Sequence, residues 1–221
     1  MKDKVVLITG SSEGIGRETA LKFAGQGCKI IITYRKDKKE AVQAAENCKK
    51  RGASDVLVLQ LDISSDKSIK KCVKSVVKKF GRISILINNA GVIRWKPFKS
   101  QSFEDLEHQV NVNLLGTMKM TLEALHYVKD MIINIASGAG KMAYADLVPY
   151  CATKFGVRGF TQGLALELKI PVYVVNPGMT ATRMTNFKGV KPEKVAEVIF
   201  NTAKGKYKVK SGGDVDVWEY I

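Results

Sequence analysis

Histidine is nearly absent from this 221-residue chain. His108 and His126 are the only two, and neither has a second ligand at metal spacing, so no metal site is expected and both read as structural or surface residues. Cysteine is scarce too. Cys28, Cys48, Cys72 and Cys151 lie far apart and form no C-x-x-C pair, which points to reduced, packed thiols and away from a zinc site or a disulfide framework. No apolar run approaches the roughly 20 residues that a membrane span requires, and no cleavage-site pattern follows the short apolar opening Met1 to Thr9. A soluble, cytoplasmic protein without membrane contact is the expectation. Linkers, repeats and low-complexity blocks are also missing. With 45% hydrophobic content the chain can fill one sizeable core but not two generous ones, so residues 1–221 read as one domain.

Positive charge, by contrast, is in excess: 36 Lys and Arg against 21 Asp and Glu, a net +15. Such a charge attracts polyanions. The lysines, however, are spread through amphipathic stretches (Lys36 to Lys39, Lys67 to Lys79, Lys188 to Lys210) with no interleaved aromatics and no nucleic-acid motif. The expectation is a solvated basic surface that can attract phosphorylated or acidic partners, without nucleic-acid binding.

Val- and Ile-rich runs alternate with amphipathic stretches of helical length, the pattern of parallel strands joined by crossover helices. Strands are expected at Val5–Thr9, Lys29–Tyr34, Val56–Gln60, Ile83–Asn88, Met131–Ala136 and Val172–Asn176. Helices are expected near Ile15–Gln26, Lys38–Arg51, Asp66–Phe80, Phe103–Tyr127, Val148–Leu168 and Pro192–Ala203, with Tyr207–Val209 and Val215–Trp218 as short strands. Near-continuous apolar strands imply a sheet covered on both faces, hence a doubly wound α/β sandwich.

Thr9-Gly10-Ser11-Ser12-Glu13-Gly14-Ile15-Gly16 falls where the first strand turns into the first helix. A dinucleotide pyrophosphate needs close backbone approach and the positive end of a helix, and this turn offers both. The second strand ends Thr33-Tyr34-Arg35-Lys36, with no carboxylate at its tip to bond the ribose of NAD. Arg35 can instead meet the 2′-phosphate of NADP, so NADP(H) is the expected cofactor and NAD the lesser one. Glu13 argues the other way, because it sets negative charge near the same pocket. Asp62, after the third strand, has two readings: acceptor for the adenine amino group, or cap of the following helix.

Tyr150-Cys151-Ala152-Thr153-Lys154 puts a phenol and an ammonium four residues apart, on one helix face. A neighbouring cation stabilises a phenolate and suits the tyrosine to proton transfer. Cys151 beside it reads as a small packing residue.

With these motifs in order from Lys4 to about Thr182, the sequence resembles the short-chain dehydrogenase/reductase family, and in particular its 3-oxoacyl-[acyl-carrier-protein] reductase-like members. The resemblance rests on the turn Thr9 to Gly16, on Asn88-Asn89-Ala90-Gly91, and on Asn113 within Val112-Asn113-Leu114-Leu115-Gly116. It rests also on Ser137, thirteen positions before Tyr150, and on Asn176-Pro177-Gly178-Met179-Thr180-Ala181-Thr182. It implies a Rossmann-type fold and an enzyme that interconverts a carbonyl and an alcohol by hydride transfer. Tyr150 is implied as general acid and base, with Lys154 to hold the nicotinamide ribose and lower the tyrosine pKa. Ser137 is implied to orient the reacting oxygen, and Asn113 to hold a relay water. The implied cofactor contacts are Gly10, Ser11, Ser12, Gly14, Ile15, Gly16, Tyr34, Arg35, Asp62, Asn89, Ala90, Gly91, Tyr150, Lys154, Pro177, Gly178, Thr180 and Thr182. A homodimer or homotetramer, paired through the long helices at Phe103–Tyr127 and Val148–Leu168, is implied as well. The implied substrate is a small carbonyl or alcohol compound, with a carrier- or CoA-linked 3-oxoacyl thioester first. Sugars, polyols, steroids and other carbonyl compounds, and a non-catalytic NADP-binding sensor, are alternatives.

One stretch departs from the family pattern. Only nine residues, Arg183 to Lys191, separate Thr182 from the next helix, where the family usually carries a longer lid. A short lid predicts an open pocket, completion by a partner subunit, or a substrate whose bulk stays in solvent.

Overall fold

A computed structural model describes residues 1–221 throughout. Seven parallel strands form one sheet in the order β3-β2-β1-β4-β5-β6-β7. They are β1 (Val5–Ile8), β2 (Lys29–Tyr34), β3 (Asp55–Gln60), β4 (Ile83–Asn88), β5 (Val128–Ile135), β6 (Val172–Asn176) and β7 (Asp214–Asp216). The helices between them are α1 (Gly14–Ala24), α2 (Lys38–Lys50), α3 (Asp66–Phe80), α4 (Phe103–Val110), α5 (Gly116–Ala124), α6 (Val148–Glu167) and α7 (Pro192–Ala203). This is the doubly wound, Rossmann-type sandwich that the strand composition implies. In β1, Val6 and Ile8 enter a core shared with α1, α2 and α7, while Val5 and Leu7 enter a second core under α3 and α5. Alternate side chains thus bury on opposite faces, so the whole strand is apolar. No helix is long and apolar enough to cross a membrane.

Local chemistry sets the helix ends. The Ser65 side chain caps α3 by accepting the Ser68 N–H, and Gly81, at φ +73°, ends that helix in the left-handed region. Ser102 and Asp105 form a reciprocal capping box on α4. The cysteines are all buried, and burial pushes the thiols of Cys28, Cys48 and Cys72 up to about 11, 12 and 12, as fits packed, unreactive thiols.

Three expectations are corrected. The helix expected over Phe103–Tyr127 is interrupted by a π-turn at Asn111–Leu115 and ends in a 3₁₀ turn at Leu125–Tyr127. The widened turn falls where Asn113 points inward; just beyond it Gly116 crosses the loop after β3, where an added Cβ would stand 2.7 Å from the Ile63 carbonyl oxygen. Tyr207–Val209 is not a strand: the Val209 N–H bonds back to the Tyr207 carbonyl, and Tyr207 stacks on Tyr220. The last strand is Asp214–Asp216, after which the chain turns through Val217–Glu219.

In strand order the chain reverses between β1 and β4, which pair with each other while β2 and β5 lie outside them. Open α/β sheets have their crevice at the carboxyl ends of such strands. Thr9, which follows β1, holds this point together: its hydroxyl accepts from the backbone N–H groups of Asn89 and Ala90, both at 2.9 Å.

Candidate active site

A cleft of about 780 Å³ opens at that reversal. One end lies under the glycine turn. Gly10 and Gly14 have φ of +64° and +56°, a region open to glycine at little cost. Gly16 has no room for a side chain, since a Cβ there would lie 2.3 Å from the Gly10 carbonyl oxygen and 2.6 Å from the Asn89 amide nitrogen. Asn89 donates from that nitrogen to the carbonyls of Thr9 and Gly10, so strand ends and turn are locked as one piece. Glu13 precedes α1 without capping it, which leaves the first N–H groups of the helix for another acceptor.

Most of the residues singled out in the sequence line this cleft: Gly10, Ser12, Gly14, Ile15, Arg35, Asp62, Asn89, Ala90, Gly91, Ser137, Tyr150, Lys154, Pro177, Gly178, Thr180 and Thr182. Four do not. Ser11 is buried behind the turn, donating to the Ile8 carbonyl and accepting from the Thr33 N–H. Gly16 packs on Gly10, and Tyr34 packs against the core on the α1 side. Asn113 lies one layer behind the wall, where its carboxamide accepts from the Val92 N–H and donates to the Val92 carbonyl and the Thr153 hydroxyl. Asp62 does not cap α3, a role that falls to Ser65; it accepts from the N–H and hydroxyl of Ser64.

The other end of the cleft holds Ser137, Tyr150 and Lys154. Ser137 follows β5; its hydroxyl accepts from the Ala139 N–H and acts on the Tyr150 phenol in the direction that favours ionisation. Tyr150 and Lys154 share a face of α6, with the ammonium 5.7 Å from the centre of the phenol ring. Lys154 donates to the Ile135 carbonyl at 2.8 Å. Gly91 fits beside this group, where a Cβ would meet Asn113 Oδ1 at 3.3 Å and Lys154 Nζ at 3.7 Å. Arg158, one turn further along α6, donates to the Gly140 carbonyl and grips the Asp214 carboxylate with two nitrogens, at 2.8 and 2.6 Å. It thereby pins the turn after Ser137 to α6 and to β7.

Burial dominates the electrostatics of Tyr150 and Lys154 in the cofactor-free chain. Burial pushes the Tyr150 phenol up to about 12, and the hydrogen bond from Ser137 only partly opposes it. Burial likewise pulls the Lys154 ammonium down to about 8, because its single protein partner is a neutral carbonyl. In the cofactor-free chain at neutral pH, Tyr150 is a neutral proton donor and Lys154 a poorly solvated cation.

Two residues escaped the sequence reading. Thr33 accepts the Gly10 N–H with its hydroxyl and so shapes the turn from β2. Arg183 reaches across the cleft mouth to Glu13, at 2.8 Å, and to Glu40 on α2. No local motif marks Arg183, since its partners are distant in sequence. The segment that carries it folds tightly: a 3₁₀ turn at Arg183–Thr185, left-handed Asn186 and Phe187, and a bridge from Val190 back to Thr180.

The family profile described as short chain dehydrogenase matches residues 4–192. A 3-oxoacyl-[acyl-carrier-protein] reductase from Synechocystis is 33% identical over 196 residues, covering 86% of this chain and 79% of the relative. A short chain dehydrogenase from Burkholderia cenocepacia, solved in complex with NADP, superposes with a TM-score of 0.90 at 26% identity, covering 97% of this chain and 96% of that one. A 3-oxoacyl-[acyl-carrier protein] reductase from Brucella melitensis, solved with NAD, gives 0.89 at 26% identity, covering 98% and 96%.

Proposed function

This chain belongs to the short-chain dehydrogenase family, and on that premise we propose that it reduces a carbonyl to a secondary alcohol, reversibly, with NADP(H) as hydride source. The observation that carries the reading is one cleft with Ser137, Tyr150 and Lys154 at one end and the glycine turn at the other. The turn fits a nicotinamide dinucleotide: its glycines leave the backbone bare, and the first N–H groups of α1 are unclaimed by Glu13. Gly10, Ser12, Gly14 and Ile15 would hold the pyrophosphate, and Asn89, Ala90 and Gly91 the middle of the cofactor. Pro177, Gly178, Thr180 and Thr182 would hold the carboxamide end. When bound, the nicotinamide supplies the hydride.

The protein's own part is positioning and proton supply. Ser137 and Tyr150 aim two hydroxyls at the carbonyl oxygen, and Tyr150 gives up its proton as the oxygen gains charge. The phenol is protonated at neutral pH, so Tyr150 holds the proton that reduction requires. Lys154 would bond the ribose and stabilise the phenolate that remains. Asn113, with its carboxamide spent on Val92 and Thr153, acts as a positioning residue beside Lys154, and a water at that end would complete the path for a replacement proton.

Preference for NADP over NAD is supported by Arg35, which lines the cleft and forms no ion pair with the protein's own carboxylates. The opposing charge of Glu13 is countered by Arg183. A 3-oxoacyl thioester is the specific substrate favoured: the Synechocystis relative carries that activity in its name, and a net +15 suits an acidic carrier. Pairing of subunits through α4, α5 and α6 is supported by the exposure of Phe103, Leu122, Phe155 and Leu166 on these helices.

The test follows loss of reduced nicotinamide absorbance with NADPH and NADH against an acetoacetyl thioester and simple ketones. Turnover is expected with NADPH, and Tyr150→Phe is expected to lower kcat by roughly 100- to 10,000-fold while NADPH still binds. Equal activity in that variant refutes the mechanism; silence toward the thioester alone refutes that substrate.

A further inference from the structure

The cleft is chemically divided. Apart from Lys154, its charged side chains, Glu13, Arg35, Asp62 and Arg183, belong to the glycine turn, the ends of β2 and β3, or the segment that crosses to them. Around the Tyr150 hydroxyl the wall is different. Ala139 and Leu147 form one apolar cluster with Tyr150, and Ile93 packs against that cluster. Beyond them the loop after β4 adds Trp95, the loop after β5 adds Tyr144, and the segment after β6 adds Met179 and Met184. These four are between 39% and 52% exposed, so they form an apolar rim in contact with solvent.

The cations near this mouth are already engaged and do not line it. Arg94 and Lys96 both pair with Asp105, and Lys141 pairs with Asp216. The Thr185 hydroxyl lies within bonding reach of the Thr180 and Lys188 carbonyls. Apart from Ser137, Tyr150 and Lys154, the Tyr144 hydroxyl and the Trp95 indole N–H are thus among the few uncommitted polar side-chain groups at this end. A sugar or polyol would bring several hydroxyls to a wall with few groups to bond them, and a 2-oxo acid would bring a carboxylate with no cation to meet it except Lys154, which the cofactor ribose would claim. An apolar group gains from leaving water here, and unbranched methionines with two aromatic rings adapt to its shape.

We propose that the substrate's reacting carbonyl carries an apolar substituent, an alkyl or acyl chain or an aryl ring, bound across Trp95, Tyr144, Met179 and Met184, and that sugars, polyols and 2-oxo acids are excluded. This rests on the carbonyl-reduction reading of the same site.

Two measurements separate the inference from that reading. The first is kcat/KM with NADPH for methyl ketones of rising chain length, an aryl ketone, an aldose and a 2-oxo acid. The second needs no turnover. Trp95 and Trp218 are the only tryptophans, so in Trp218→Phe the quenching of Trp95 fluorescence by a long-chain secondary alcohol reports occupancy of the rim. Expected results are a rise of roughly two- to fourfold in kcat/KM per methylene, a shallower rise in Trp95→Ala, no turnover of the aldose or 2-oxo acid, and saturable quenching. A flat chain-length series without quenching overturns the inference and leaves carbonyl reduction standing, as does preferred turnover of the aldose or 2-oxo acid. Quenching without turnover of any ketone sustains the apolar site and refutes the reduction reading. Absence of both overturns the two together.

Discussion

Replacing Lys154 by methionine should stabilise the cofactor-free protein at neutral pH while removing its activity. The Lys154 side chain is almost fully buried and its ammonium falls from 10.5 to about 8 in the folded chain. The unfolded chain keeps that proton up to pH 10.5, so between about 8 and 10.5 it binds more protons than the folded chain, and stability rises with pH across that window. Below the window the folded protein carries the full cost of the buried cation, about 3 kcal/mol. Methionine removes this cost and fills similar space, but it strands the Ile135 carbonyl, a loss of about 1–2 kcal/mol. The net expectation is a gain of about 1–2 kcal/mol at pH 7, shrinking to nothing and then reversing by pH 10. Tyr150 stays in both proteins, so its own pH dependence cancels in the comparison. Urea unfolding of both proteins without cofactor, at pH 7 and pH 10, reads the difference directly. A methionine variant that is less stable by the same amount at both pH values would show that Lys154 is not a strained buried cation.

Gly16→Ala drives a methyl into the Gly10 carbonyl and the Asn89 amide, and should cost about 3 kcal/mol or more in thermal unfolding together with loss of NADPH binding; an unchanged melting temperature rules out the packed turn. Arg35→Ala should weaken NADPH by about 10- to 100-fold while NADH changes little, as read by cofactor titration, and equal losses for both cofactors remove Arg35 from 2′-phosphate recognition. Burial works against the Asp214 carboxylate, but Arg158 and Asn176 outweigh it and hold its pKa below the ordinary 3.8. The stability this contributes is present above the ordinary pKa and lost as pH falls through the lowered one, so Arg158→Met should cost about 2 kcal/mol at pH 7 and less in strong acid. Urea titrations at both pH values check it; a deficit independent of pH contradicts the ion-pair account.

The elements legible in the sequence were those whose local chemistry and tertiary setting agree. Strands β1, β2, β4 and β6 were readable because both of their faces bury, so hydrophobicity alone marks them. Tyr207–Val209 has strand-like residues but lies beyond the last helix, where a backward turn and the Tyr207–Tyr220 stack take the place of a ladder. The π-turn at Asn111–Leu115 left no trace in periodicity, because it depends on Asn113 reaching Val92 from another loop. The same distinction divides the site. Tyr150, Lys154 and the glycine turn follow short-range rules of spacing and were readable, whereas Arg183 meets Glu13 and Glu40 only through long-range folding.

By itself the sequence determined the architecture, the glycine turn and the pairing of a phenol with an ammonium on one helix face, since each depends on neighbours a few residues apart. Only the tertiary structure decided that Ser11, Gly16, Tyr34 and Asn113 support the cleft instead of lining it. It also decided that burial lifts Tyr150 and depresses Lys154, and that the wall around the phenol is apolar. Desolvation and the company a side chain keeps are set by segments brought together from across the chain, and no local pattern encodes them.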